Sequence, residues 1–423
     1  MWTKLRDSMP LQLMLAAIMA WLFALTFSST ADVSQQSWYH LLMLGKTSYI
    51  GLLKMVVGVV VMLSLLEGIT SIGSTVRLKK LGVSTLLFYS FTTLIAISLG
   101  LGTSLLLPAW QPLNEFAPVT DGVRLISEDA AGGTAIAAKL LNMALVNPVA
   151  ALASGNLLAI VLFSFMLGLA LLSALPAKHP LFEMLSGLNK GVNAMVRGIV
   201  RFAPLAVFSI VFEFTLFGGE SLFGQLALFA LLVFALTLIH GVVVLPTIAK
   251  VATGIRFTTL FKAISAPLAM AFATSSSSAT LPLAMQSAED KLGVSKSTSS
   301  MVLPLGAVMN MDGTALFEGV AAIFLAQLFG VDLTTTGLIM IFIMAMVSSV
   351  GAPGMPSGSM SGMQLVLLAA GIPLEAIAVL LIIERPLDTF RTAVNVEGDL
   401  IAALVIDKWQ QRVSSPELAS EGV

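Results

Sequence analysis

A chain of 423 residues that is 57% hydrophobic, 11% charged and free of cysteine stands well apart from ordinary soluble domains, which are about 25% charged. With a mean hydropathy of +0.96, the composition is that of a polytopic membrane protein. It excludes a disulfide framework and thiolate metal ligands, and the formal net charge of -1 gives no basis for nucleic-acid binding or a polybasic membrane-surface role.

Six apolar runs come first, centred on residues 11–27, 50–69, 86–107, 157–175, 192–217 and 222–248. Each is near the ~20 residues that cross ~30 Å of hydrocarbon. The first follows Lys4 and Arg6 as a signal peptide would, but Phe27-Ser28-Ser29-Thr30-Ala31 is ambiguous as a cleavage site, and an uncleaved span is the favoured expectation. Basic residues then mark alternate sides: Lys4 and Arg6; Arg77, Lys79 and Lys80; Lys178 and Lys190; Lys250, Arg256 and Lys262; Lys408 and Arg412. By the positive-inside rule these sides, and both termini, are expected in the cytoplasm of a cell membrane, a bacterial inner membrane in particular. The opposite loops agree. Residues 30–45 contain no lysine or arginine, and residues 111–134 set Glu115, Asp121, Glu128 and Asp129 against Arg124.

Beyond Lys262 the pattern changes. The apolar run 264–285 is interrupted by Thr274-Ser275-Ser276-Ser277-Ser278-Ala279-Thr280-Leu281-Pro282, with Lys262 and Lys291 flanking it. Basic residues at both ends predict a hairpin that enters the membrane, turns at the serines and leaves on the same side. The shape recurs at 338–368, interrupted by Gly351-Ala352-Pro353-Gly354-Met355-Pro356-Ser357-Gly358-Ser359. Two interrupted segments, each followed by a helix with polar insertions, point to an inverted repeat with a site between its halves. The alternative is four full spans joined by short loops.

Between the hairpins, Asn310-Met311-Asp312-Gly313-Thr314 interrupts the apolar span 301–329. Asn310, Asp312 and Thr314 cannot share one face of a regular helix, and Gly313 invites local unwinding. Freed carbonyls with a carboxylate and an amide make an all-oxygen site suited to a hard cation such as sodium, while His40, His179 and His240 are scattered and offer no soft-metal cluster. An Asp-Gly kink neutralised by a neighbour is the structural alternative.

The last apolar run carries the densest polarity. Read as a helix, Asp388, Arg391, Thr392, Asn395 and Asp399 fall on one face, and Glu384 extends the stripe. A charged side chain at the bilayer midplane costs roughly 2.5–3.5 kcal/mol on insertion scales, so such a stripe persists only where it faces protein, ions or substrate.

Together these motifs resemble the dicarboxylate/amino acid:cation symporter family: the serine-rich hairpin, Asn310-Met311-Asp312-Gly313-Thr314, the Gly/Pro hairpin tip, Asp388-x-x-Arg391-Thr392-x-x-Asn395-x-x-x-Asp399, and Asn147-Pro148 before the fourth long run. The match runs over nearly the whole chain in span order. It implies an all-α polytopic membrane fold of eight transmembrane helices plus two re-entrant helical hairpins, a homotrimer and elevator-type alternating access. On that scheme residues 1–80 hold scaffold and the start of the transport domain, 81–110 a transport-domain span, 111–248 scaffold spans and span six, and 249–423 the transport core.

The resemblance further implies an acidic amino acid as substrate, with Arg391 on its side-chain carboxylate, Asp388 on its amino group, and Thr392, Asn395 and Thr314 around it. Ser276, Ser277 and Ser278 and the second tip, Gly354, Met355, Pro356, Ser357 and Gly358, would close over it. A planar guanidinium does suit a carboxylate. Coupling ions rather than a cofactor are implied: one cation at Asp399 with carbonyls of Gly306, Asn310 and Asn395, another at Asp312, Thr314, Asn310, Tyr89, Thr92 and Thr93, and a third at carbonyls of Val308, Met311, Ser349, Val350 and Ala352.

Three positions depart from the family pattern. Ser275 and Thr389 stand where relatives place a second arginine, and Pro353 stands where an alanine is usual. Glu318, where proton-carrying members also have glutamate, is the proton-carrier candidate, with a permanently paired structural acid as its alternative. A C4-dicarboxylate or another amino acid such as cystine, and purely proton-driven glutamate transport, stay open. A channel would need a continuous polar path, and an enzyme a nucleophile beside a base; Ser275 to Ser278 have no histidine in their motif.

Overall fold

The computed structural model describes residues 9–27, 33–70, 81–112, 138, 141–176, 178–217, 220–351, 354 and 358–420, and among them there is no strand. The first helix, α1 (Met9–Ala24), has 16 residues, about 24 Å of rise. It stops three residues short of the expected end, where Leu25 N and Thr26 Oγ1 turn back onto the carbonyls of Trp21 and Phe23. Next come α2 (Ser37–Thr70), α3 (Val83–Leu106), the short α4 (Pro148–Ser154) and α5 (Leu157–Ala174). Asn147 caps α4 by accepting from Val149 N at 2.9 Å.

The expected span 192–217 is instead two helices, α6 (Pro180–Val200) and α7 (Ala203–Phe217), bent by 43° at residues 201–202. Pro204 causes the break, since it has no N–H and its ring collides with the carbonyl four residues back. The span 222–248 is α8 (Glu220–Ile239), which passes through a π turn at His240–Val244 into α9 (Leu245–Thr253). Pro246 sits at the start of α9, where the regular bonding ladder is already interrupted.

The serine segment forms a helical hairpin. Helix α10 (Phe257–Thr274) ends at Ser275, whose φ of 48° reverses the chain, and Ser276 caps α11 (Ser277–Asp290) by accepting from Ala279 N at 3.2 Å. Helices α12 (Lys296–Met309) and α13 (Asp312–Leu328) follow. The break between them corrects one expectation: the unwound residues are Asn310 and Met311, with φ of -125° and -130°, whereas Gly313 is helical. Helices α14 (Thr335–Gly351) and α15 (Ser359–Ala370) pack against each other, and α16 (Ile377–Ser420) closes the chain.

Six of these units are long and apolar enough to cross a membrane, and the bent α6–α7 pair makes a seventh. The chain is a multi-pass membrane protein. Its helices pack in two groups: α1, α2, α5, α6 and α7 in one, and α3 with α8 to α16 in the other. Helix α13 is the centre of the second group, with every residue from Asp312 to Ala326 buried and with α3, α8, α14, α15 and α16 around it. A helix enclosed on all sides is why its sequence reads as an uninterrupted apolar run after Glu318.

Candidate functional site

The stripe on α16 is turned inward, with Asp388, Arg391, Thr392, Asn395 and Asp399 all buried. It faces the broken start of α13, and the two helices come close because Gly313 has no side chain. A Cβ there would lie 3.0 Å from the Arg391 carbonyl oxygen and 3.2 Å from Asn395 Oδ1. Asn395 uses that proximity to cap α13, accepting from Gly313 N at 2.8 Å and donating to Thr314 Oγ1 at 3.3 Å.

Arg391 is fully buried. Its Nη2 lies 2.8 Å from Ser359 Oγ, 3.1 Å from Asp388 Oδ1 and 3.2 Å from Glu384 Oε1, while its guanidinium carbon sits 4.0 Å from the centre of the Phe317 ring. Nε and Nη1 have no hydrogen-bond partner among the described residues. Buried donors left unmatched are costly, so this guanidinium is poised for an acceptor. Arg385 Nη1 approaches the other Asp388 oxygen at 3.7 Å, so Asp388 lies between two arginines.

The space among Ser275, Ser277, Met311, Thr314, Gly354, Gly358, Ser359, Asp388, Thr392 and Asn395 amounts to about 10 Å³, close to the room one water needs. Gly354, between α14 and α15, meets the serine turn beside it. Ser276 Oγ donates to the Gly354 carbonyl at 2.8 Å and Ser278 N does so at 3.2 Å. The serines are thus divided: Ser275 and Ser277 line this space, while Ser276 and Ser278 line a larger cavity of about 460 Å³ that reaches Glu67, Asn189, Lys190 and Arg197 of α2 and α6. Ala352, Met355, Pro356 and Ser357, with Pro353, lie outside the described residues.

A second polar focus lies deeper. Asp399 Oδ1 accepts from Asn310 Nδ2 at 2.9 Å, and Asn310 Oδ1, buried, has no partner. Gly306 is so near that any side chain on it would overlap the Asp399 carboxyl and the Tyr89 hydroxyl; the latter donates to Val302 O at 2.9 Å. Asp312 Oδ1 accepts from Thr93 Oγ1 at 2.7 Å and Thr92 Oγ1 at 3.2 Å. Among the described residues no lysine or arginine pairs with Asp312 or Asp399. Two buried carboxylates, an orphaned amide oxygen and hydroxyls form an oxygen set that fits a hard monovalent cation or a proton. Of the third proposed cation set, Ser349 is buried and its hydroxyl donates to Met346 O at 2.8 Å, while the Val308 side chain is turned toward Gly68 of α2.

Glu318 is likewise buried. Ser348 Oγ donates to its Oε1 at 2.8 Å, and Oε2 has no partner among the described residues. Two contributors carried little sequence signal. Ser359 holds Arg391 from α15, and His240 Nε2 lies 3.2 Å from Asp312 Oδ2. A lone histidine in an apolar run points to nothing; the nearby Pro246 is the one local signal that could have marked the irregular turn.

Fold and site together define a multi-pass helical membrane protein with a charged, carboxylate- and arginine-bearing centre sealed inside one group of helices. Residues 9–409 match the family model described as the sodium:dicarboxylate symporter family. The chain is 32% identical over 376 residues to a proton/glutamate-aspartate symporter of Escherichia coli (strain K12), covering 86% of this chain and 84% of that protein. A proton/sodium-glutamate symport protein of Bacillus caldotenax is 32% identical over 373 residues, 86% of each. A neutral amino acid transporter B(0) of Oryctolagus cuniculus is 35% identical over 401 residues, 87% of this chain and 74% of that protein. The chain belongs to the sodium:dicarboxylate symporter family, a family of transporters rather than enzymes.

Proposed function

We propose that this protein is a secondary active symporter that imports an acidic amino acid, aspartate or glutamate, coupled to sodium, protons or both. The observation that carries the reading is Arg391, a fully buried guanidinium with two nitrogens unmatched beside the Asp388 carboxylate. The side-chain carboxylate of the substrate meets the guanidinium and the ammonium meets Asp388, with Thr314, Thr392 and Asn395 completing the polar wall. Succinate lacks the ammonium and leaves Asp388 as a repulsive neighbour. The same argument ranks neutral amino acids lower, since they leave the buried arginine without its acceptor.

In this reading α1, α2 and α5 to α7 serve as the scaffold and α3 with α8 to α16 as the moving transport domain, a division that the two packing groups support. It assigns α1 and α2 wholly to the scaffold, so the transport domain starts with residues 81–110 rather than within 1–80, and continues after the scaffold spans of 111–248 into 249–423. Helices α11 and α15, with 14 and 12 residues, rise only about 21 and 18 Å, too little to cross the hydrocarbon, which favours re-entrant hairpins over full spans. The hydrogen bonds between Ser276, Ser278 and Gly354 are the closed gate, and they must part for substrate to enter a space that holds about one water. Asp312 and Asp399 hold sodium, and Glu318 carries the proton. The active form is a homotrimer in the cell membrane with cytoplasmic termini; a native mass of one 44.4 kDa chain with full transport would contradict it.

Binding to purified protein tests the substrate. Aspartate and glutamate should displace one another at a single site, with succinate and glutamine much weaker. Succinate binding more tightly than aspartate would reverse the assignment.

A further inference from the structure

His240 is completely buried in the π turn that follows α8 and reaches across to α13, its Nε2 3.2 Å from Asp312 Oδ2. Its other ring nitrogen, Nδ1, has no partner among the described residues, so the contact with Asp312 is the ring's one polar anchor there. The Asp312 carboxylate is thereby held at both ends, by Thr92 and Thr93 on Oδ1 and by His240 on Oδ2. The backbone is built to deliver this ring. His240 opens the π turn His240–Val244, a local widening that re-aims the side chains around it. The adjoining Gly241 lets this π turn press against α16, since a Cβ there would lie 2.8 Å from Val394 Cγ2 and 3.2 Å from Glu397 Oε2.

We infer that His240 is a positioning residue for cation coupling, whose Nε2–H fixes the Asp312 carboxylate in the orientation that accepts the cation. The inference rests on the reading of Asp312 as a cation ligand. A carboxylate free to rotate about its last bond must be ordered when the ion arrives, and that ordering weakens ion binding. A donor fixed in advance from a second helix removes the loss, as outer-shell partners of metal ligands generally do. His240 does so without adding a competing oxygen ligand, and it touches Asp312 rather than the substrate space. Its effect therefore falls on the ion and reaches the substrate only through linkage.

The test is sodium-dependent aspartate uptake in proteoliposomes for the parent, His240→Leu, His240→Gln and Asp312→Asn, with the sodium requirement and the aspartate KM at saturating sodium measured separately. Loss of an outer-shell partner typically weakens ion binding about 10–100-fold, and His240→Leu should raise the half-saturating sodium concentration by that order while leaving the aspartate KM at saturating sodium near the parent value. His240→Gln, which keeps an N–H at similar reach, should restore most of the sodium affinity. If His240→Leu is not produced folded, His240→Asn draws the amide back from Asp312 and should show the same rise. A sodium curve unmoved by His240→Leu or His240→Asn while Asp312→Asn shifts it would overturn the positioning role. So would a parallel rise in aspartate KM that glutamine fails to rescue. A sodium curve unmoved by Asp312→Asn would remove the cation reading itself, and the role of His240 with it.

Discussion

Replacing Arg391 by alanine probes the polar centre most severely. The side chain is fully buried and holds Asp388 at 3.1 Å and Glu384 at 3.2 Å, so its loss leaves two carboxylates in the protein interior with their shared cation gone. Breaking a buried pair by removing one partner costs roughly 3–5 kcal/mol, or about 150- to 5,000-fold in an equilibrium constant. Part of that loss falls on folding and part on binding, and the two can be separated. In Arg391→Ala combined with Glu384→Gln, one of the two buried charges that lose this arginine is neutralised, so thermal stability should recover in part while aspartate affinity stays low. Isothermal titration of aspartate alongside thermal unfolding of the purified variants reads both quantities. Aspartate affinity within about twofold of the parent in Arg391→Ala, or recovery of affinity together with stability in the double variant, would refute the assignment of Arg391 to the substrate.

Three further outcomes follow from the same geometry. Glu384→Gln alone removes a competitor for Arg391 and should tighten aspartate binding severalfold, in line with the ~0.5–1.5 kcal/mol of one hydrogen bond; weaker binding would contradict the competition. Gly313→Ala forces α13 from α16 where a Cβ lies 3.0 Å from the Arg391 carbonyl, and overpacking of this kind should cost about 1–3 kcal/mol, read as a lower unfolding temperature. Glu318→Gln keeps an oxygen for Ser348 and should preserve aspartate exchange, while net uptake should lose the increase expected of the parent as external pH falls. A variant with the parental pH profile and reduced stability would make Glu318 a structural acid.

Much of this was legible in the residues because lipid makes polarity expensive. The stripe from Asp388 to Asp399 stood out against its surroundings, and the structure buries every member of it. What the sequence could not resolve was parity and partnership. In a run of four serines, the turn at Ser275 decides which hydroxyls face the polar centre, and that turn depends on one residue adopting a φ of 48° that no serine advertises. Glycine favours irregular backbone and so points to Gly313 as the break before α13, yet this glycine serves close approach of two helices and the chain unwinds at Asn310 and Met311. Pairings such as Ser359 with Arg391 and His240 with Asp312 join segments 32 and 72 residues apart, and local periodicity carries no trace of them.

The central claim, that an ion gradient drives an acidic amino acid through this polar centre, is tested most directly by accumulation of labelled aspartate in proteoliposomes with sodium and pH gradients imposed separately. The account predicts uptake above equilibrium that needs an inward sodium or proton gradient, is abolished by Arg391→Ala and collapses when the gradients are dissipated. Aspartate entry that merely equilibrates whatever gradient is imposed, or accumulation retained in Arg391→Ala, would contradict it.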